Sequence, residues 1–174
     1  IASSYLNIGN VFSEQDKIDE ALEYYLKSAQ LSEKWHDSNI GDAYNNIGNA
    51  YKNKKDNKRA LIYSLKSLEI REKQNDKFGM ALSYTNIGNI YFDEKQPEIA
   101  LRYQLMALNL AIKNGYKSTQ AYANNGIGTV KEAQKNYPEA LHYYKKALKL
   151  ATELNNKKLI LLAYDGLADV YEKT

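Results

Sequence analysis

Tyr44-Asn45-Asn46-Ile47-Gly48-Asn49-Ala50-Tyr51 holds the tetrad Asn-Ile-Gly-Asn, which also stands at Asn7-Ile8-Gly9-Asn10 and at Asn86-Ile87-Gly88-Asn89. The steps between copies are 39 and 40 residues, and two degraded copies follow at further steps of 40, Gly126-Ile127-Gly128-Thr129 and Gly166-Leu167-Ala168-Asp169. A fixed period of this length is the mark of stacked structural repeats, and it governs the reading of almost every other residue.

The period extends beyond the tetrad. An Ala-Leu pair follows each glycine by about thirteen residues, at Ala21-Leu22, Ala60-Leu61, Ala100-Leu101 and Ala140-Leu141. An aromatic stands three residues after the glycine at Phe12, Tyr51 and Tyr91, and another four before it at Tyr5, Tyr44 and Tyr84, with Tyr164 in the fifth copy. The fourth repeat departs at both places, with Asn124 and Lys131.

Each repeat reads as two helices. In the second, Tyr44, Ile47, Ala50 and Tyr51 share one helical face, and Ala60, Leu61, Leu65, Leu68 and Ile70 form a second apolar stripe. Polar turns lie between, and Pro97 and Pro138 suit the first turn of a second helix, where a missing N–H costs nothing. The joints Asp37-Ser38-Asn39, Asn75-Asp76-Lys77, Asn114-Gly115 and Asn155-Asn156 carry residues that end one helix and start the next. First helices are expected near 2–14, 40–54, 79–94, 118–134 and 158–173, and second helices near 17–35, 57–74, 97–113 and 138–154. The expected fold is all-α, a right-handed superhelical solenoid of antiparallel helix pairs. It has four full repeats (about 2–38, 39–77, 78–117, 118–157) and a partial one at 158–174, in a single array. Because glycine inside a helix is less favourable than alanine by about 0.5–1 kcal/mol, the recurring Gly9, Gly48, Gly88, Gly128 and Ala168 point to close helix approach, opposite Ala21, Ala60, Ala100 and Ala140.

These residues resemble the tetratricopeptide repeat, whose pattern is an aromatic, then Leu-Gly, then Tyr, then Ala, an aromatic and Ala. Tyr5, Ile8-Gly9, Phe12, Ala21 and Tyr25 match it in repeat 1, and Ile127-Gly128, Ala140, Tyr144 and Ala147 in repeat 4. The period of 40 exceeds the family's usual 34. It is similar to the long-helix subclass of Pins-like polarity adaptors, kinesin light chains and bacterial peptide-pheromone regulators.

In such an array the first helices line a concave groove, and the groove positions fall at fixed offsets from the small residue. The candidate peptide-binding residues are Asn7, Asn10, Asp42, Asn45, Asn46, Asn49, Asn53, Thr85, Asn86, Asn89, Asp93, Tyr122, Asn125 and Thr129. Phe92, Gly126, Glu132, Ala133, Leu162, Asp165, Gly166, Asp169, Glu172 and Lys173 occupy the same offsets toward the C-terminal end. Asparagine dominates, although it is a mediocre helix former. Its carboxamide donates and accepts at once, so a ladder of them fits a peptide backbone. The resemblance implies this role for Asn7, Asn46 and Asn86, while Gly126 and Gly166 interrupt the row. The alternative is that the asparagines bridge neighbouring repeats. The groove positions carry Glu14, Asp42, Asp93, Glu132, Asp165, Asp169 and Glu172 against Lys52 and Lys173. A partner neutral to basic toward the C-terminal half is therefore expected. Leu6, Asn10, Leu82 and Asn86 stand where relatives that bind acidic chaperone tails carry Lys or Arg.

Composition narrows the rest. The net charge is +3, and the lysines are spread along the second half of each repeat, without the clustered stripe that nucleic-acid binding brings. There is no cysteine, His36 and His142 lie far apart in the repeat frame, and neither a metal site, a cofactor nor a catalytic residue is supported. No apolar run approaches the ~18 residues a membrane span needs. The chain begins and ends inside the repeat pattern, so a segment of a longer, cytoplasmic protein is expected. The reading is a protein-interaction module, not an enzyme. Its rivals are a ligand-sensing segment of a bacterial signalling protein and a nucleic-acid-binding helical repeat. Self-association through a half-covered C-terminal helix carrying Leu159, Leu162 and Tyr164 is a further expectation.

Overall fold

A computed structural model describes residues 1–174. All its regular structure is helical: α1 (Ala2–Glu14), α2 (Ile18–Trp35), α3 (Ile40–Asn53), α4 (Asn57–Lys73), α5 (Lys77–Asp93), α6 (Pro97–Asn114), α7 (Lys117–Ala133), α8 (Tyr137–Glu153) and α9 (Lys157–Glu172). These bounds lie within a few residues of the expected ones. The chain divides into two compact units, Ile1–Asn86 and Ile87–Thr174, with the break inside α5.

In the first unit α1 packs on α2, α2 on α3 and α3 on α4. Its centre is built from Ala21, Tyr25, Ala43, Tyr44, Ile47, Tyr51 and Ala60. The helix-pair interface is narrow at the glycines. A Cβ on Gly9 would stand 2.5 Å from the Tyr25 ring, and one on Gly48 would stand 2.7 Å from Ser64 Oγ and 3.3 Å from the Ala60 carbonyl. The alanines are fully buried, but the atoms nearest the glycines belong to the side chain one turn beyond them.

One buried residue was not anticipated. Arg71, only 2 % exposed, donates to the Gly79 carbonyl at 2.6 Å and to Asp42 Oδ1 at 2.6 Å. A Cβ on Gly79 would collide with Asp76 Oδ2 first and then with the Arg71 side chain, so glycine there is a steric requirement of the buried guanidinium and the carboxylate beside it. Asp76 caps the same turn by accepting from the Gly79 N–H at 2.9 Å.

In the second unit α6 packs on α7, α7 on α8, and α9 on both α8 and α7. The central side chains are Ile90, Ala107, Ala121, Ile127, Val130, Ala140, Tyr144 and Val170. Tyr144 fills the space between two glycines, Gly128 and Gly166, whose added Cβ atoms would stand 2.7 and 2.4 Å from its ring. Gln104 stands likewise against Gly88 and Gly126. The glycines that replace asparagine in the degraded tetrads thus accommodate larger side chains of the preceding helix. Leu159 is 2 % exposed, seated on Ala121 and Ala151, so it does not belong to the half-covered face expected of α9. Leu162, Tyr164 and also Leu161 and Tyr171 are exposed. So is Ala168. No helix is long and apolar enough to cross a membrane.

Candidate functional site

Helical periodicity brings the expected positions of each unit onto one side of its first helices. In the first unit the asparagines form a connected row. Asn86 Nδ2 donates to Asn45 Oδ1 at 2.8 Å, and Asn46 Nδ2 donates to Asn10 Oδ1 at 2.9 Å. Asn10 Oδ1 also accepts from the Tyr25 hydroxyl at 3.0 Å, and a long 3.4 Å contact from Asn45 Nδ2 to Asn46 Oδ1 joins the two halves. Burial is the main cause that raises the Tyr25 pKa, which keeps that hydroxyl a donor. The carboxamides therefore bridge neighbouring repeats. Asn10, Asn46, Asn49 and Asn53 together line a cavity of about 270 Å³ with Ser13 and Glu14. Asn7 is exposed and outside the row. Asp42 is exposed but tied to Arg71. Thr85 is 5 % exposed and its hydroxyl donates to the Ala81 carbonyl in its own helix, so it is withdrawn from any surface.

In three of the repeats the residue after the glycine is held from the second helix of its own repeat. Tyr25 donates to Asn10 and Gln104 to Asn89 at 2.8 Å, while the Tyr144 hydroxyl stands 3.2 Å from Thr129 Oγ1, its one proton directed at Glu132. In the second repeat Ser64 is too short to do this. Asn49 lacks the equivalent bond, and the buried Ser64 hydroxyl has no partner.

The larger cavity lies in the second unit, about 580 Å³, between α5, α7, α8 and α9. Phe92, Asn125, Thr129, Glu132, Ala133, Leu162, Asp165, Gly166, Asp169 and Lys173 line it, all at the offsets expected for a groove. Tyr137, Tyr144 and Lys135 complete it, and the spacing gave no sign of these three. The Tyr144 hydroxyl donates to Glu132 at 2.7 Å. Burial first, opposed by the Thr129 bond and reinforced by the Glu132 carboxylate, pushes the Tyr144 pKa well above the usual tyrosine value. Glu132 also pairs with Lys173 at 2.6 Å, and that carboxylate raises the lysine pKa. Asp165 and Asp169 are exposed and stand in no ion pair, although Asp169 lies near enough to Lys173 to add to the rise of that lysine's pKa. Asn125 is 9 % exposed and its Oδ1 accepts no hydrogen bond. Tyr122 is half-buried against Ala121, Ala151 and Leu159, apart from this cavity. Asp93 is exposed beyond the end of the Asn89 turn. No group of three or more His, Asp or Glu side chains converges as a metal site would require.

This architecture is that of a helical-repeat interaction module, all-α with helices paired antiparallel. The chain belongs to the tetratricopeptide repeat family. One model of that repeat matches residues 1–73 and 118–174, and a second matches 80–113. No curated protein matches the sequence. Among solved structures, the apo form of RapI superposes with a TM-score of 0.81 at 22% identity, over 99% of this chain and 66% of that one. BtubC from P. vanneervenii gives 0.75 at 18% identity, over 89% of this chain and 65% of that one. A signal-transduction ATPase with numerous domains and a tetratricopeptide repeat sensor, from Pyrococcus horikoshii, gives 0.78 at 21% identity, over 99% of this chain and 26% of its own length. At these identities the likeness is one of fold. The chain spans two thirds or less of the proteins it resembles.

Proposed function

We propose that this chain binds an extended segment of a protein partner along its first helices, with a basic side chain of that segment entering the second unit's cavity. The cavity carries the argument. Phe92, Tyr137 and Leu162 offer apolar contact, while Asp165 and Asp169 are carboxylates at the wall that stand in no ion pair, the nearby Lys173 being paired with Glu132. A lysine or arginine side chain supplies both an apolar stem and a cationic end. Asn125 Oδ1, buried and unpartnered, is an acceptor for a backbone or guanidinium N–H. In the first unit, Asn10, Asn46 and Asn49 present the remaining carboxamide donors and acceptors beside the 270 Å³ cavity. The asparagine row is then both a bridge between repeats and a backbone-binding surface. Its mutual hydrogen bonds hold the side chains in the geometry a peptide meets.

A peptide array scored by calorimetry tests this. Peptides with Lys or Arg should bind, and Asp165→Asn with Asp169→Asn together should weaken them at least tenfold, about 1.4 kcal/mol. A peptide ending in Glu-Glu-Val-Asp should not bind, since Leu6, Asn10, Leu82 and Asn86 offer no cation. Selection of acidic peptides alone would overturn the reading.

A further inference from the structure

The fourth repeat lacks two of its aromatics, and a cavity opens where one of them would stand. Repeat 2 shows the intact arrangement. Tyr44 is buried, with its ring 5.8 Å from that of Tyr63. The Lys66 ammonium sits 5.2 Å from the Tyr44 ring and 5.5 Å from the Tyr63 ring, so one cation serves two rings. The Tyr44 hydroxyl donates to Glu33 of the preceding helix. Repeat 1 keeps the same pair, Tyr5 and Tyr24 at 6.0 Å, with Lys27 5.1 Å over Tyr24.

In repeat 4 half of this arrangement survives. Tyr143 and Lys146 stand at the matching positions, the ammonium 5.4 Å from the ring. Asn124 replaces the tyrosine, Ile112 replaces the glutamate, and Lys131, paired with Glu139 at 2.7 Å, replaces the second stacking aromatic. An open cavity of about 300 Å³ lies between α6, α7 and α8, walled by Leu108, Ile112, Leu150 and the lysines 146 and 149, with Asn124 in its lining. The matching furrow of the first unit includes Ile40 and Ile70 but not Tyr44 or Lys66 in its lining. Asn124 is 4 % exposed. Its Nδ2 donates to the Gln120 carbonyl at 2.7 Å, and its Oδ1 accepts nothing.

We propose that this slot receives a tyrosine side chain of a partner polypeptide, on a surface separate from the acidic cavity of the second unit. The chain's own repeats show that a tyrosine satisfies this environment. A ring inserted there stacks beside Tyr143 and gives Lys146 the second π-face that Lys66 has. Leu108, Ile112 and Leu150 cover its edges. A side chain entering from solvent arrives hydroxyl first, and the buried Asn124 Oδ1 is the acceptor it meets. Phenylalanine would fill the space but leave that oxygen unpaired, so the slot discriminates for the phenol.

The test is an NMR titration of the ¹⁵N-labelled full chain with N-acetyl-tyrosine amide and its phenylalanine and leucine counterparts. The tyrosine amide should give saturable shifts at the Asn124 side-chain amide and at Tyr143 and Lys146. The phenylalanine amide should bind there about fivefold more weakly, the loss of one buried hydrogen bond. The leucine amide should leave these signals in place. Asn124→Tyr should fill the slot from within, raise the melting temperature and abolish the shifts. Asn124→Leu, which keeps the space and removes the acceptor, should erase the preference for tyrosine over phenylalanine. Shifts absent from these residues, equal shifts with the leucine amide, or undiminished binding by a folded Asn124→Tyr chain would overturn the proposal.

Discussion

At the scale of single residues, the decisive contacts lie between side chains that the period places one repeat apart. Asn46 and Asn86 each donate to an asparagine of the preceding repeat, half-buried, at 2.9 and 2.8 Å. A hydrogen bond of that kind contributes about 1 kcal/mol net, more than the gain in helix propensity from alanine, which is a few tenths. Asn46→Ala and Asn86→Ala should each lower unfolding stability by about 0.5–1 kcal/mol, read from urea midpoints. An unchanged midpoint would mean that the row is held by solvent as well as by itself. Gly166 makes a sharper case. A Cβ there meets the Tyr144 ring at 2.4 Å, and Gly128 confines the ring on its other side. Gly166→Ala should therefore cost about 1–3 kcal/mol through overpacking, against the ~1 kcal/mol that alanine gains in an open helix. The sequence announced the first effect and concealed the second. The asparagines repeat, so their alignment was legible. Gly126 and Gly166 read as decay of the tetrad, because the side chains they accommodate, Gln104 and Tyr144, lie 22 residues earlier in sequence. Arg71 was hidden for a similar reason. A cation on a lysine-rich second helix reads as solvated until the fold brings the Gly79 carbonyl and Asp42 against it.

At the scale of helices, length and pairing were legible because apolar periodicity, prolines and turn residues agree. The turn chemistry was only partly so. Asp16, Lys55, Lys95 and Lys135 adopt φ near +60° in the turns within repeats, a conformation that glycine or asparagine would take at less cost. Asp56 and Asn136 cap the helices after such turns, and Asn156 caps α9 after a joint between repeats, each accepting a backbone N–H. The last helix differs from the others in its surroundings. Leu159, Ala163, Leu167 and Val170 are buried against α7 and α8, whereas Leu161, Leu162, Tyr164 and Tyr171 are exposed. With one face covered, α9 opens at less cost than α7, which is packed by α6, α8 and α9. Its amides should exchange hydrogen at least tenfold faster than those of α7 in dilute solution. If copies associate through the exposed leucines, α9 protection should rise with protein concentration while that of α7 stays constant. Equal protection in both helices at every concentration would contradict the one-sided packing.

At the scale of the whole molecule, the tyrosines dominate, sixteen in 174 residues, and several are titrating groups held neutral by their surroundings. Tyr44 is raised above the ordinary value by burial and then by the Glu33 carboxylate that accepts its hydroxyl. Tyr144 is raised by burial and by Glu132. Tyr25, Tyr63 and Tyr103 are raised as well, burial being the first cause in each. An unfolded chain releases these protons near pH 10, at the ordinary phenol pKa of about 10. The folded chain holds them to higher pH. Between those limits the native state binds more protons than the unfolded state, so stability must fall as pH rises. The contribution is fully present below about pH 10 and is lost progressively above it. The urea midpoint should thus be flat between about pH 7 and pH 9 and drop toward pH 11. Lysine deprotonation contributes to the same limb, so the decisive comparison is with Tyr44→Phe and Tyr144→Phe combined. That variant loses two hydroxyls whose acceptors, Glu33 and Glu132, remain, and it should be less stable at pH 7. Its midpoint should nevertheless fall less steeply above pH 10, because two of the proton-retaining groups are gone. Parallel curves for the two proteins across the alkaline limb would show that these hydroxyls ionise as freely in the folded chain as in the unfolded one, and would remove burial as the force that keeps them donating to their carboxylates.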